Sequence, residues 1–396
     1  MPAAIVVLGF AIFAQGTSEL MIAGLLPEIA SDLGVTISQA GLLVSGFALG
    51  MLIGAPVLAV VTLRWRRRRA LLLFLGLFVL AHVAGALAPG YQVLLVSRFI
   101  GAFVYAGFWA VAASTAMALV PAERRGRAMS IVAGGLTVAT VIGLPVGTWI
   151  GQNLGWRGTF WVVTLLSAVA AIGVLAKVPD ITPRSAHRVR DELRGIVVPR
   201  LWLSYAMTSV STAALLGTFT YLAAMLVENT GMDARWVPLV LLGYGVGALA
   251  GMAVGGRAAD TRPIGVLTAG FTGLLLVSVL IAVLARQMVP VVALAVLLGF
   301  TGFGVNPALN SRIFGIAPGA PTLAAAGSTA AFNVGITLGP WLGGLALTAG
   351  YGYAAIPWIG AGLAALVLVL LAVEVRARRP ATSGGAAGTR EPALVE

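Results

Sequence analysis

Long apolar runs, separated by short polar or basic segments, account for most of the chain. Twelve runs approach or exceed the roughly 20 residues that a helix needs to cross the hydrocarbon core of a bilayer. In that core every backbone N–H and C=O must be satisfied within the protein, which favours helices. The pattern therefore predicts an all-α membrane protein with twelve transmembrane helices. The predicted bounds, numbered as spans 1 to 12, are 4–27, 38–63, 70–88, 92–119, 128–150, 157–177, 200–227, 235–256, 263–285, 289–311, 322–348 and 353–375.

The spans fall into two halves that repeat one pattern. An aromatic residue followed by glycines at the third and seventh positions recurs after 197 residues, and a proline and glycine pair recurs after 195. We therefore predict two pseudo-symmetric six-helix bundles, 1–178 and 200–376, joined by a cytoplasmic linker at 179–199 and followed by a disordered cytoplasmic tail at 377–396. The matched positions are Phe47, Gly50 and Gly54 with Tyr244, Gly247 and Gly251, and Pro145 and Gly155 with Pro340 and Gly350.

Composition and charge agree with this assignment. The chain is 59% hydrophobic and 10% charged, which excludes an ordinary soluble domain. Its net charge of +12 could suggest nucleic acid, but 21 of the 25 basic residues lie in alternate loops. That asymmetry instead predicts that both termini and the central linker are cytoplasmic, in the cell membrane, with no nucleic-acid partner. The absence of cysteine excludes disulfides and thiolate metal sites.

One carboxylate, Glu19, lies deep within a span, whereas the other acidic residues lie at span ends, in loops or in the tail. A charge at that depth costs about 3 kcal/mol on lenient scales. Glu19 is therefore predicted to bind and release a proton, although a structural carboxylate bonded to a neighbouring helix is the alternative. Gln15, one turn earlier, is predicted to share its face.

Arg98 is the one basic residue within a span, and it needs a carboxylate, carbonyls or water as partner. Tyr105 and Trp109 follow on the same helical face and could line a site for a flat amphipathic ligand, or simply pack. His82 is interpreted as structural. In the second half, amides and aromatic side chains facing a cavity would suit an uncharged polar and aromatic substrate, although each could equally be an interhelical contact. These predicted substrate-binding residues are Phe303, Asn306, Asn310, Phe332 and Asn333.

Three further stretches carry recognisable motifs. The basic run Arg64–Arg69 follows span 2, and the residue before it, Leu63, corresponds to Asp260 after span 8 at the repeat offset of 197. Spans 5 and 11 carry glycine and proline motifs that permit close helix packing and a hinge. The predicted hinge residues are Gly143, Pro145, Gly147, Gly339, Pro340 and Gly343.

With the span 1 stretch Gln15–Pro27, these motifs resemble the major facilitator superfamily across residues 1–376. More narrowly, they resemble its twelve-span drug:proton antiporters, and the chloramphenicol-resistance exporters of actinobacteria in particular. The resemblance implies the major facilitator fold, a proton-transfer role for Arg98 beside Glu19, and a cytoplasmic gate at Arg64 and Asp260. The basic run could equally serve as a topology anchor that contacts anionic lipid.

The sequence thus predicts proton-coupled efflux of a small amphipathic drug by alternating access, with chloramphenicol or related phenicols as the favoured cargo. The alternatives are an exporter of a sugar or nucleobase metabolite, a broader multidrug exporter, and a membrane sensor or channel. Its partners would be the drug, protons and membrane lipids, with the protein monomeric. The sequence contains no Walker loop, metal cluster or hydrolase elbow. We therefore expect no enzyme activity, metal or cofactor.

Overall fold

A computed structural model of the chain describes residues 2–62, 65–181, 198–317 and 321–377. Its described residues form helices and connecting loops, and the twelve predicted spans are confirmed as candidate membrane-crossing helices. Arg64, most of the predicted linker at 179–199 and the tail beyond 377 lie outside the described residues. The observed spans 1 to 12 are Ala3–Gly24, Ile37–Leu58, Arg67–Ala86, Tyr91–Ala118, Arg125–Leu154, Trp156–Lys177, Pro199–Glu228, Ala234–Ala259, Pro263–Val283, Met288–Ile316, Leu323–Thr348 and Ala355–Arg376.

The glycine motif repeated between the halves makes the same contact in each. In span 2, a Cβ on Gly50 would lie 2.5 Å from the backbone oxygen of Phe99 in span 4, and Gly54 meets the backbone of Phe103. In span 8, Gly247 and Gly251 meet the backbone oxygens of two span 10 residues in the same way. Those partners, Val296 and Phe300, lie 197 positions after Phe99 and Phe103. Small residues let helix backbones approach closely, so the repeat fixes an equivalent helix pair in both bundles.

The halves meet on one face of the protein. We define the odd-loop face as the side of the connections after spans 1, 3, 5, 7, 9 and 11, and the even-loop face as the opposite side. The hydrogen bonds between the described residues of the two halves join spans 2 and 11 or spans 5 and 8, and reach from mid-span to the odd-loop face. They are Ser38 Oγ to Gly344 O, Thr348 Oγ1 to Ser38 Oγ, Ser45 Oγ to Thr337 O, and Gln152 Nε2 to Ala234 O. The molecule is therefore closed on the odd-loop face.

Close packing of Tyr221 reinforces this closure. It lies where span 7 breaks between its helices Pro199–Thr220 and Leu222–Glu228, and its side chain is buried. Its hydroxyl donates to Pro340 O at 2.8 Å, and its ring contacts Gly41 of span 2. A large side chain therefore links span 7, span 11 and the opposite half at one point.

The short helix Leu26–Leu33 between spans 1 and 2 is tied to span 6 at the odd-loop face. The indole Nε1 of Trp156 donates to Asp32 at 2.9 Å, and Arg157 forms an ion pair with the same carboxylate. The hydrogen bonds from Trp156 and Arg157 hold the pKa of Asp32 below its usual value. Both charged side chains are partly exposed, so the pair positions the connection more than it stabilises the fold.

One prediction from the sequence needs correction. We expected Arg312 in the loop after span 10, but the helix continues to Ile316 and buries the arginine. Arg312 forms an ion pair with Glu374 of span 12, whose side chain is also buried, and its Nε donates to Ser204 Oγ at 3.1 Å. The Nε of Arg200 lies 3.9 Å from the same carboxylate. Glu374 is therefore a second buried carboxylate, near the even-loop face.

Breaking this pair is expected to destabilise the second half strongly. Removing one member of a buried ion pair leaves an uncompensated charge, which costs about 3–5 kcal/mol. Glu374→Gln should therefore lower the thermal unfolding midpoint clearly, measured on purified protein in detergent. The double variant Arg312→Met with Glu374→Leu should recover most of the loss, because no buried charge remains. A Glu374→Gln midpoint equal to that of the unmodified protein would contradict this account.

Candidate functional site

A cavity of about 240 Å³ lies between the halves, in the part of the molecule nearer the even-loop face. Spans 1, 2, 4 and 5 form one wall, and spans 7, 10 and 11 form the other. Its lining combines aromatic and apolar side chains with amides, hydroxyls and one carboxylate, the composition typical of a small-molecule site. The lining residues are Glu19, Met51, Tyr105, Trp109, Leu136, Thr208, Asn306, Leu309, Asn310, Ser328, Thr329, Phe332 and Asn333.

Glu19 lies between the main cavity and a small void. It lines the main cavity and also a void of about 20 Å³ on its odd-loop side, which is otherwise almost wholly apolar. A void of that size has room for about one water molecule. Among the described residues, Glu19 makes no hydrogen bond or ion pair at standard distances. A carboxylate in this position can exchange a proton with whichever side is open.

Arg98 reaches span 1 beside Glu19, but it is bonded to the neighbouring residue. Its Nη1 donates to the backbone oxygen of Ser18 at 2.9 Å and to Ser18 Oγ at 2.7 Å. Its guanidinium carbon lies 4.1 Å from the ring centroid of Phe47, which lines the void together with Glu19. The Nε and Nη2 of Arg98 are buried and have no hydrogen-bond partner among the described residues. The arginine therefore keeps donors available for a carboxylate.

The wall formed by the second half is polar, and some of its polar groups hydrogen-bond to one another. Ser328 Oγ donates to Asn310 Oδ1 at 2.9 Å, and Asn333 Nδ2 donates to Thr329 O at 2.9 Å. The Oδ1 of Asn333 is buried without a partner among the described residues, so it can accept a hydrogen bond from a ligand.

A neighbouring cavity of about 190 Å³ extends the site toward spans 5 and 8. Trp109 and Leu136 line both cavities, and Phe303 lines only the second. This second space is lined mainly by apolar side chains. The two spaces together offer a polar wall and an apolar extension, which suits a molecule with one polar and one aromatic end.

The structure thus brings together seven of the predicted residues at the main cavity: Glu19, Tyr105, Trp109, Asn306, Asn310, Phe332 and Asn333. Gln15 is fully buried away from it, with its Nε2 donating to Ala11 O of its own helix. The sequence reasoning did not assign Met51, Leu136, Leu309, Ser328 or Thr329 to the site. Thr208 belongs to a mixed polar and aromatic stripe in span 7, formed by Tyr205, Thr208, Thr212 and Phe219. Such a stripe indicates a cavity wall only weakly.

The predicted hinge glycines lie at helix contacts. Gly143 packs against Thr17 of span 1, and a Cβ on Gly339 would lie 2.6 Å from the backbone oxygen of Ala213 in span 7. Span 5 contains a π-helical turn at Ala139–Gly143, just before Pro145, where the missing proline N–H leaves the helix ladder incomplete. Span 11 differs, because its helix runs unbroken from Pro321 to Thr348 through Pro340.

The predicted gate is only partly described. Asp260 is exposed at the end of span 8 and forms no ion pair with a described residue, while Arg64 lies outside the described residues. In the same loop, Arg66 forms an ion pair with Asp180 at 2.7 Å. That contact ties the loop after span 2 to the start of the linker after span 6, and it does not reach the second half.

Comparisons with known proteins agree with this architecture. A family model described as "Major Facilitator Superfamily" matches residues 8–322. A Streptomyces lividans protein named "Chloramphenicol resistance protein" is 40% identical over 380 residues, which are 95% of this chain and 97% of the relative. The "Inner membrane transport protein YdhP" of Escherichia coli K12 is 32% identical over 93% of this chain and 95% of its own.

Two solved structures share the fold. A transporter of the POT family, in complex with 5-aminolevulinic acid, superimposes with a TM-score of 0.74 at 12% identity, over 95% of this chain and 96% of that one. A bacterial homologue of the human lysosomal transporter Spinster, in an inward-facing and unoccupied conformation, gives a TM-score of 0.66 at 16% identity over 94% of each chain.

Proposed function

The chain belongs to the major facilitator superfamily, has its fold, and is a multi-pass membrane protein; from this premise we propose that it is a proton-coupled exporter. It would expel a small amphipathic drug, with chloramphenicol or a related phenicol as the favoured cargo, across the cell membrane. The even-loop face and both termini would be cytoplasmic, as the distribution of basic residues predicts. The closed odd-loop face then corresponds to a state that opens inward.

The observation that carries this proposal is the position of Glu19. It is the one acidic side chain in the lining of the main cavity, and it also borders the void toward the closed face. A proton that arrives from outside in one state and leaves inward in the other must visit such a group. Cargo in the main cavity would lie against the same carboxylate, so proton and cargo would compete for it.

Arg98 supplies the second element of the proposed coupling. Its Nε and Nη2 are buried without a partner among the described residues, and its Nη1 is held at Ser18, directly before Glu19. A guanidinium near a buried acid favours the carboxylate form. Glu19 would therefore release its proton inward in this state and bind cargo after the site is deprotonated.

The driving force is sufficient for export. Each proton that moves inward contributes about 2.3 kcal/mol per 100 mV of potential. At about 1.4 kcal/mol per decade, one proton per cargo molecule could sustain a gradient of roughly 50-fold. No nucleotide or other cofactor is needed for a gradient of this size.

The cargo assignment is supported by the cavity and by the relative from Streptomyces lividans. A phenicol has hydroxyl and amide groups at one end and an aromatic ring at the other. The amides of Asn306, Asn310 and Asn333 could bind the polar end, while Trp109 and Phe332 could contact the ring. Phe303, in the adjoining cavity, would receive a substituent beyond the ring.

Transport by the purified protein in proteoliposomes tests the proposal. With protein oriented for uptake, an imposed pH gradient should drive accumulation of labelled chloramphenicol at least about tenfold above protein-free vesicles. Collapsing the gradient with a protonophore should abolish the accumulation, which controls for passive partitioning. A parallel panel of sugars and purines tests the metabolite alternative. Gradient-driven movement of a sugar or purine, with none of any phenicol, would overturn the drug assignment.

A further inference from the structure

His82 of span 3 lies next to the coupling site, by which we mean Glu19 and Arg98 with Ser18 between them. Its side chain is buried, and its ring centroid lies 4.0 Å from that of Phe78 and 5.7 Å from that of Phe160. Its Nε2 lies 2.6 Å from Ser18 Oγ and its Nδ1 lies 2.9 Å from the backbone oxygen of Phe78. Both ring nitrogens are therefore committed, and one of them contacts the residue that holds Arg98.

The partners determine the direction of each hydrogen bond. A backbone carbonyl only accepts, so Nδ1 of His82 must carry the proton that it shares with Phe78 O. The neutral ring then presents a lone pair at Nε2, and the hydroxyl of Ser18 donates to it. With its proton directed at the histidine, the Ser18 oxygen turns its lone pairs toward Nη1 of Arg98, at 2.7 Å. The three side chains form one line from span 3, through span 1, to span 4.

We propose that His82 is a positioning residue of the coupling site: by accepting the Ser18 hydroxyl, it fixes the guanidinium of Arg98 beside Glu19. The inference rests on the proposed function, because it assigns His82 a task in proton coupling. Its effect is exerted through Ser18, and no proton needs to pass through the histidine. This interpretation replaces the purely structural role expected from the sequence.

The charged and titratable groups that face this line come from two elements. Span 1 contributes Glu19, and span 4 contributes Arg98 and Tyr105. Span 6 contributes the apolar ring of Phe160, and span 2 contributes Phe47. Any change in pH dependence caused by altering His82 must therefore act on Glu19, Arg98 or Tyr105.

Removing the acceptor should release Ser18 and then Arg98. A buried serine in a helix can otherwise donate to the carbonyl four residues earlier, here that of Ala14. That rotation would move its oxygen away from the guanidinium. With Arg98 held less firmly, the carboxylate form of Glu19 loses part of its support, since a nearby opposite charge can shift a titration by about 1–3 pH units. The transport midpoint should therefore move to higher pH.

The test compares pH profiles of transport in proteoliposomes. We expect His82→Phe, which keeps an aromatic ring, to move the midpoint upward by about one pH unit. Ser18→Ala should give the same shift, and the double variant should add nothing further, as expected for residues that act in one line. His82→Gln should restore the midpoint, because its side-chain oxygen can accept the Ser18 hydroxyl.

Ser97→Ala is the matched control. Ser97 is buried next to Arg98, but its hydroxyl donates to Leu94 O of its own helix at 2.7 Å. This variant should leave the profile unchanged. Equal profiles for His82→Phe and the unmodified protein, or a uniform loss of rate at every pH in both His82 variants, would overturn the proposal.

A second readout separates this inference from the proposed function. The infrared band of the protonated Glu19 carboxyl can be titrated in detergent without any cargo, with Glu19→Gln identifying the band. A shifted titration in His82→Phe supports the positioning role even if vesicles transport nothing, which would overturn only the exporter assignment. An unshifted titration in a protein that transports normally would overturn the positioning role alone.

Discussion

Glu19→Gln is expected to abolish uphill export and to weaken cargo binding. Glutamine has almost the shape of a protonated glutamate and keeps hydrogen-bonding groups at the cavity wall, but it cannot release a proton. The variant is therefore held in the equivalent of the protonated form. Accumulation of labelled drug under a pH gradient should fall by about tenfold or more, to the level that passive leakage sets, since the proton's contribution of about 2.3 kcal/mol per 100 mV is lost.

Two measurements isolate the cause. Exchange of labelled for unlabelled drug at equal concentrations requires no proton movement, so at saturating drug it should persist in the variant. Glu123→Gln is the control for loss of a carboxylate, because Glu123 is exposed in the loop after span 4. Undiminished uphill transport by Glu19→Gln would show that another group carries the proton.

Gly41→Ala is expected to shift the protein away from the state closed on the odd-loop face. A Cβ at this position would meet the hydroxyl of Tyr221 and lie 2.7 Å from the Cζ atom of its ring. The ring cannot readily move, because it is buried and its hydroxyl is bonded to Pro340 O. Overpacking of this kind costs about 1–3 kcal/mol, which is roughly a five- to 150-fold change in the population of the closed state. Transport should fall accordingly.

The cysteine-free chain allows a direct measurement of this shift. Spin labels at Leu154→Cys and Trp236→Cys, both exposed near the odd-loop face in opposite halves, should report a longer distance in Gly41→Ala. Gly76→Ala is the control, because a Cβ there meets nothing within 4 Å. If the Gly41→Ala distance matched that of the control, Tyr221 would not be part of the closure.

The sequence predicted the twelve spans correctly and placed Glu19 inside one of them, because both signals are local. The length of an apolar run can be counted in a single stretch of sequence. An acidic residue such as Glu19 inside such a run can be recognised without knowing which helices surround it. The repeat carried further information, since Gly50 and Gly247, which match in the sequence, make equivalent helix contacts in the structure. What the sequence could not provide was the partner of each buried group.

The errors have the same origin. Arg312 was assigned to a loop because the predicted span ended five residues too early, and its partner Glu374 lies in another helix. Gln15 was expected on the face of Glu19, but it does not line the cavity: its Nε2 donates to Ala11 O of its own helix, and its Oε1 is buried without a partner among the described residues. Phe303 and Asn306 were both expected to face one substrate cavity, but the helix of span 10 is interrupted at Val305, and Phe303 lines the adjoining cavity instead.

The closure on the odd-loop face bears on the free energy needed to open that face. Only four hydrogen bonds join the described parts of the two halves. Most of their donors and acceptors would be exposed to water if the halves moved apart on this face. Water can take over such bonds at a net cost of about 0.5–1.5 kcal/mol each. These four hydrogen bonds, together with the packing of Tyr221 against Gly41, are among the contacts that must open when the halves separate. On the proposed mechanism, binding of a proton or of one cargo molecule would act on hydrogen bonds that are each replaceable by water.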